Sequence, residues 1–98
     1  MQKLNLRRIV AILAAHKSRL RRKYGIKSMA VFGSFVYGSP KRGSDVDILI
    51  DFEEIPDLLQ FIEIENHLGT LIHRNVDLVR KQALREELKD LVRKAVPV

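Results

Sequence analysis

The sequence contains no cysteine, and its uninterrupted apolar runs are short. Without cysteine there can be no disulfide bond and no thiolate metal ligand, and such a composition is typical of a reducing compartment. The longest apolar run is Ile9–Ala15, well below the ~20 residues that a membrane-spanning helix needs. We therefore expect a cytoplasmic protein with no membrane partner.

Acidic residues are also fewer than basic ones, with 12 Asp and Glu against 18 Lys and Arg and a net charge of +6. This balance favours anionic partners such as nucleotides, nucleic acid or an acidic protein, although a solvated basic surface has the same composition. A length of 98 residues with 46% hydrophobic residues is typical of one small globular domain. We expect residues 1–98 to form that single domain.

The hydrophobic periodicity predicts an α/β (α+β) protein in the order α-β-(short α)-β-α-β-α. The predicted helices cover 2–23, 34–37, 56–68 and 82–95, and the predicted strands cover 28–32, 45–52 and 75–80. Asn5 offers a later, capped start for the first helix, which Gly25 ends. Gly69 and Pro97 are predicted to end the last two helices. Because the second strand follows the first too closely for a helical crossover, we expect a mixed sheet of three or four strands.

A Gly33-Ser34 pair lies between an apolar strand and the short predicted helix. Backbone N–H groups at a helix start favour a phosphate, glycine permits its close approach, and the Ser34 hydroxyl adds a donor. An ordinary tight turn with a serine cap has the same sequence. The pair alone therefore leaves both interpretations open.

Asp45 and Asp47 lie at alternate positions where an apolar strand begins. Side chains at i and i+2 of a strand share a face, so two carboxylates there can hold a divalent cation such as Mg²⁺. Ser44 could orient one of them or cap the preceding turn. The alternative is a polar strand entry in which Ser-Asp completes a turn.

Asp77 is a third acid, flanked by Val76 and Leu78 in a strand interior that normally disfavours aspartate. If this strand pairs beside the Asp45–Phe52 strand, three carboxylates converge. Two metals held by three acids can activate a hydroxyl and stabilise a leaving pyrophosphate. The alternative is a charge at a sheet edge that discourages aggregation.

Taken together, Gly33-Ser34, Gly38, Ser44-Asp45-Val46-Asp47 and the later Asp77 resemble the signature of the DNA polymerase beta nucleotidyltransferase superfamily. More closely, the whole chain resembles the minimal nucleotidyltransferase (MNT) family, the antitoxin partners of HEPN-domain toxins. The resemblance implies the minimal nucleotidyltransferase fold, a Mg²⁺–ATP site with two metals, and transfer of AMP to a tyrosine of the toxin. It also implies that Asp45, Asp47 and Asp77 bind metal and act in catalysis, while Gly33 and Ser34 hold the phosphates.

The sequence departs from that family after Gly33-Ser34, where many members carry an arginine and this chain has Phe35-Val36-Tyr37. Lys41 and Arg42, with Ser44, are then the candidates for the remaining nucleotide contacts, although a basic loop is usually solvated. Two alternative functions stay open: neutralisation of the toxin by stoichiometric binding, and transfer to RNA or a small molecule. A homodimer and a hetero-oligomer with the toxin are both open, and a nucleic-acid partner is less favoured.

Overall fold

The computed structural model describes residues 4–38, 40–41 and 43–98. Two short 3-10 turns, Lys81–Ala83 and Glu86–Leu88, precede the last helix. The helices and strands are α1 (Leu6–Tyr24), β1 (Ile26–Phe32), α2 (Ser34–Tyr37), β2 (Val46–Phe52), α3 (Leu58–Ile72), β3 (Val76–Arg80), α4 (Lys89–Val92) and β4 (Val96–Pro97).

Helix α1 begins and ends at the residues whose chemistry suits those positions. The Asn5 side chain accepts a hydrogen bond from the backbone N–H of Arg8 at 2.9 Å, which makes Asn5 the N-cap. Gly25 takes the left-handed conformation (φ 67°) at the other end. The later start that Asn5 offered is therefore confirmed. The alternative start at residue 2 lies outside the described residues.

The four strands form one mixed sheet in the order β3-β2-β1-β4. Strand β1 is antiparallel to both β2 and β4, while β2 and β3 are parallel. The parallel pair is connected through α3, which supplies the crossover that such a pair needs. The predicted mixed sheet is confirmed, and it has four strands, the larger of the two numbers expected.

The hydrophobic core lies between one face of this sheet and the helices α1 and α3. Burial alternates along β2, with Val46, Ile48 and Ile50 fully buried and the residues between them half-buried. This is the period of two that the sequence predicted. The odd-numbered face of β2 is thus the one that carries Asp47, opposite the core.

Two predictions about helix ends are wrong. The helix predicted over 82–95 is replaced by the two 3-10 turns and the short α4. Pro97, predicted to end that helix, instead lies in β4, which pairs with the otherwise open edge of β1. Gly69 lies inside α3, which continues to Ile72 and ends at His73 in the left-handed conformation (φ 55°). Gly69 serves close packing instead, because a Cβ there would lie 3.0 Å from the backbone oxygen of Arg74.

None of the helices in the described part of the chain is long and apolar enough to cross a membrane.

Candidate active site

Three separate segments of the chain meet at one end of the sheet. The antiparallel pairing of β1 with β2 places Phe32, the residue before Gly33, opposite Asp47. The parallel pairing of β2 with β3 places Asp47 directly opposite Asp77. The Gly33-Ser34 turn, Asp47 and Asp77 therefore lie at the same end of the sheet, which we call the site edge. Asp45 lies there too, in the residue before β2.

Gly33 is required at this edge for two physical reasons. Its backbone (φ 80°, ψ −151°) is in a region that only glycine adopts readily. A Cβ at this position would also collide with Oδ2 of Asp47. The glycine thus brings the start of α2 against the Asp47 carboxylate. Because α2 begins at Ser34, the N–H groups of Ser34 and Phe35 have no acceptor within the helix.

The Asp47 carboxyl is half-buried, whereas Asp45 and Asp77 are exposed. Burial, followed by the negative charges of Asp77 and Asp45, raises the pKa of Asp47 from its ordinary value of 3.8 to about 6. Asp47 lies directly opposite Asp77 in the sheet register and two residues from Asp45, so negative charges near it disfavour its ionisation. The edge is therefore a concentration of negative charge that a cation would stabilise.

The donor chemistry at this edge suits Mg²⁺, although the carboxylates do not form a complete cage. Within residues 4–38, 40–41 and 43–98, no group of three or more His, Cys, Asp or Glu side chains is arranged to hold a metal ion. Mg²⁺ is usually held by one or two carboxylates together with substrate phosphates and water, so a closed protein cage is not needed. Asp45, Asp47 and Asp77 carry carboxylate oxygens, the ligand type that Mg²⁺ prefers.

The raised pKa of Asp47 predicts how stability depends on pH in metal-free buffer. Because the folded-state pKa of about 6 lies above the unfolded value, ionisation favours the unfolded state. Asp47 therefore costs little stability below about pH 4, where its carboxyl is protonated in both states. The cost grows as the pH rises from about 4 to about 6 and is complete above that range. We expect Asp47→Asn to raise the Tm at pH 8, and much less at pH 4, in thermal denaturation.

The expected rise at pH 8 is about 5 °C, which corresponds to about 1 kcal/mol once solvent screening is allowed for. Asp90→Asn is the matched control, since the Asp90 side chain is 83% exposed on α4. An equal Tm rise at both pH values for Asp47→Asn would contradict the electrostatic explanation.

Arg74 is a basic residue at this site that the sequence did not single out. Its Nη1 donates to the backbone oxygen of Ser44 at 3.2 Å, and its guanidinium lies over the Phe35 ring, 5.9 Å from the centroid. Both contacts hold the cation beside the loop that leads into Asp45. Neither of the salt bridges among the described residues involves Arg74, so no carboxylate neutralises it there.

The end of α3 fixes the position of Arg74. The backbone N–H of Arg74 donates to the Gly69 oxygen at 3.1 Å, and the N–H of His73 uses the same acceptor. This arrangement ends the helix and turns the chain toward β3. A further hydrogen bond connects α3 to β3: Glu65 Oε2 accepts from the N–H of Leu78, the residue after Asp77, at 3.0 Å.

The loop before β2 contains the other predicted contacts. Ser44 Oγ accepts a hydrogen bond from the backbone N–H of Lys41 at 2.8 Å, and the Ser44 N–H donates to the Lys41 oxygen at 2.9 Å. Ser44 therefore caps this turn, which is one of the two roles considered for it. The Lys41 side chain is exposed, and Arg42 lies outside the described residues.

An open cavity of ≈860 Å³ adjoins this end of the molecule. Asp45 and Arg74 both line it, together with Glu65, Asn66 and His73 from α3 and its C-terminal turn. A cavity lined by both a carboxylate and a guanidinium suits a ligand that carries phosphates and a metal ion. This cavity could not be predicted from the sequence, because its lining comes from segments that are distant along the chain.

Comparison with known proteins places the chain among enzymes. A family model described as a nucleotidyltransferase domain matches residues 13–97. The protein adenylyltransferase MntA of Thermococcus cleftensis is 50% identical over 99 residues, and the match covers 100% of both chains.

Three solved structures have similar folds. A structure assigned to the minimal nucleotidyltransferases has 30% identity and a TM-score of 0.78, with full coverage of both chains. A toxin–antitoxin structure with AMP-PNP has 25% identity and a TM-score of 0.65, and the match covers 80% of this chain and 64% of that one. A complex of a tri-AMPylated Shewanella oneidensis HEPN toxin with an MNT antitoxin has 20% identity and a TM-score of 0.62, with 86% and 65% coverage.

Proposed function

Because the chain belongs to the nucleotidyltransferase domain family, we propose that it transfers AMP from Mg²⁺–ATP to a tyrosine of a cognate HEPN toxin and so neutralises that toxin. The observation that carries this proposal is the meeting of Asp45, Asp47 and Asp77 with the Gly33-Ser34 turn at one sheet edge. The similarity to a protein adenylyltransferase supports protein as the acceptor. The AMPylated HEPN toxin in a structure of similar fold supports the partner.

In the proposed reaction, the tyrosine oxygen attacks the α-phosphorus of ATP, a new P–O bond forms, and pyrophosphate leaves. Asp45 and Asp47 would hold Mg²⁺, and Asp77 would also bind metal. When bound, Mg²⁺ neutralises phosphate charge that develops as the bond to pyrophosphate breaks. Asp77, the more exposed of the two register-paired acids, helps to activate the attacking hydroxyl by accepting its proton.

The phosphates also need hydrogen-bond donors and positive charge. In this chain we propose that backbone N–H groups and a distant arginine supply them. The N–H groups at the start of α2, on Ser34 and Phe35, face phosphate oxygens, and the Ser34 hydroxyl adds a donor. We assign to Arg74 the positive charge that an arginine after Gly-Ser supplies in many relatives, because its guanidinium stacks over Phe35 at that position. Lys41 and Arg42 contribute charge from the neighbouring loop.

The test is to incubate the purified chain with ATP, Mg²⁺ and the HEPN toxin encoded beside its gene. We expect the toxin to gain the mass of one or more AMP groups on tyrosine, and its RNase activity to fall in step. Unmodified toxin in this reaction, or equal modification by the Asp45→Ala/Asp47→Ala variant, would contradict the proposal.

The second candidate is an antitoxin that acts by stoichiometric binding. The observations that favour it are Phe35 in place of a basic residue and the lack of a closed metal cage among the described side chains. Toxin neutralisation that survives Asp45→Ala/Asp47→Ala would support this candidate. Labelling of RNA by radioactive ATP without any labelled protein would instead support a nucleic-acid substrate, which the net charge of +6 suits.

We further propose that residues 1–98 form one catalytic domain that works in the cytoplasm. The family match over 13–97 and the single sheet support the domain proposal. The lack of cysteine suits a reducing compartment, which also supplies ATP.

A further inference from the structure

Helix α3 exposes a stripe of large aliphatic side chains. Leu59 is 80% exposed, Leu58 72%, Ile55 54% and Ile62 43%. Leu58, Leu59 and Ile62 lie at neighbouring positions (i, i+1 and i+4) on the surface of the first turns of α3. Ile55 lies in the segment just before the helix. We call these four residues the α3 stripe. A contiguous apolar surface of this kind marks an interaction site more often than a scattered exposed leucine does.

The α3 stripe is bordered by negative charge. The side chains of Glu53, Glu54, Asp57 and Glu63 around it are exposed, and the first three line a cavity of ≈450 Å³ beside Ile55. Between residues 43 and 73 the sequence has no lysine or arginine. Arg80 lines a small cavity with Asp57 and Leu58, so the border is acidic with one basic side chain at the β3 end. The surface therefore complements a partner with apolar anchors and basic side chains around them.

A second copy of this chain does not fit that surface. A two-fold dimer through the α3 stripe would place these carboxylates against their own copies, which is unfavourable. The basic α1 of another copy has the right charge, but its large apolar side chains Ile9, Leu13 and Leu20 are buried in its own core. Leu6, Val10 and Ile12 of α1 are partly buried against the same core. None of the exposed large apolar side chains in the described part of the chain comes from α1, so this helix is a poor apolar partner for the stripe.

The stripe is also remote from the acids. Strand β2 runs from Val46, next to the candidate active site, to Phe52, beyond which Ile55 and the start of α3 follow. At ~3.3 Å per residue the two ends of β2 are about 20 Å apart. Contact at the stripe can therefore hold a partner without occupying the nucleotide site.

We propose that the α3 stripe is a docking surface for the toxin, which would present an apolar helix flanked by lysine and arginine. The identity of the partner rests on the proposed function. The evidence for a docking surface, which is the acidic border and the exposed apolar side chains, is independent of that function. Docking here would raise the effective concentration of the acceptor tyrosine near Asp45 and Asp77.

The test compares toxin binding and AMP transfer between the wild type and two double variants, Leu58→Ser/Leu59→Ser and Glu54→Lys/Glu63→Lys. Both variants leave Asp57 in place, because its side chain caps α3 through the N–H of Gln60. We expect each double variant to raise the Kd for the toxin about tenfold or more. The KM for toxin should rise while kcat at saturating toxin stays unchanged.

Ala14→Ser/Ala15→Ser on the exposed face of α1 is the matched control and should bind normally, with circular dichroism confirming the fold of every variant. Normal toxin affinity in both stripe variants would overturn the inference. So would a wild-type dimer, seen by analytical ultracentrifugation, that Leu58→Ser/Leu59→Ser converts to a monomer.

The two proposals fail in different ways. Stripe variants that lose binding, in a system where the wild type transfers no AMP, would support the docking surface and contradict only the proposed chemistry. AMP transfer with the KM unchanged in the stripe variants would contradict only the docking surface. A wild-type chain that neither binds nor modifies the toxin would overturn both.

Discussion

The Asp45→Asn/Asp47→Asn variant should lose AMP transfer by about 10³-fold or more while it still binds the toxin. Asparagine keeps the size of each side chain but removes the two charges that attract Mg²⁺. Transition-state stabilisation is lost, whereas the surface proposed for docking lies at the other end of β2. Single-turnover transfer measured by intact mass spectrometry, together with calorimetric toxin binding, checks both parts.

Asp51→Asn is the matched control for this experiment. Asp51 is on the same strand and also half-buried, but it pairs with Ser28 far from the turn at Gly33. Its Oδ1 accepts a hydrogen bond from the N–H of Phe52, and an asparagine oxygen can accept the same bond. We expect near wild-type transfer from Asp51→Asn. A comparable loss in both variants would indicate damage to the sheet, not removal of a metal site.

The second large effect is expected at Arg74. Arg74→Gln should reduce kcat/KM for ATP by about 10- to 100-fold, the range that a charge-assisted hydrogen bond to phosphate corresponds to. The physical reason is that this cation has no carboxylate partner among the described residues and lines the cavity next to Asp45. Steady-state kinetics at varied ATP and fixed toxin measure the effect.

Two comparisons separate charge from structure at Arg74. Arg74→Lys keeps the positive charge and should recover part of the activity, although lysine cannot form the same bidentate contacts. Arg80→Gln removes an arginine at the opposite end of the β2–β3 pairing, where Arg80 lies beside Ile50, and should leave the KM for ATP unchanged. Wild-type kinetics in Arg74→Gln would show that Arg74 does not neutralise the phosphate charge.

The local patterns in the sequence predicted the central part of the fold well. The alternation of Val46, Ile48 and Ile50 is set by burial of one strand face, so it is visible without a structure. The single helical turn from Ser34 to Tyr37 was equally predictable, because a glycine lies on each side of it. Both Gly33 and Gly38 have positive φ in the structure. These features depend on residues that are close together in the chain.

The end of the chain was mispredicted because long-range pairing decides its structure. Residues 82–95 have helical spacing of leucines, yet only Lys89–Val92 is an α-helix. The following residues instead pair with β1, where Val31 lies opposite Val96 and the N–H of Val98 donates to the oxygen of Met29 at 3.0 Å. An open strand edge satisfied by a distant segment overrides local propensity.

The candidate site shows the same division between local and distant information. Asp45 and Asp47 could be singled out as acids at the start of an apolar strand, and Asp77 as an acid inside a strand, where aspartate is disfavoured. Their meeting depended on β3 pairing in parallel beside β2. Arg74 could not be found in this way, because its contacts with Phe35 and Ser44 join residues 30 or more positions apart.

The central claim is that nucleotide and metal bind at the edge formed by Gly33, Asp47 and Asp77. The most direct measurement is the NMR spectrum of the isotopically labelled chain titrated with Mn²⁺ and ATP, since paramagnetic Mn²⁺ broadens only nearby amide signals. The account predicts that the amides of Gly33, Ser34, Asp47 and Asp77 broaden first, while those of Leu58 and Leu59 stay sharp. Broadening that begins elsewhere, or that is unchanged in Asp45→Asn/Asp47→Asn, would contradict it.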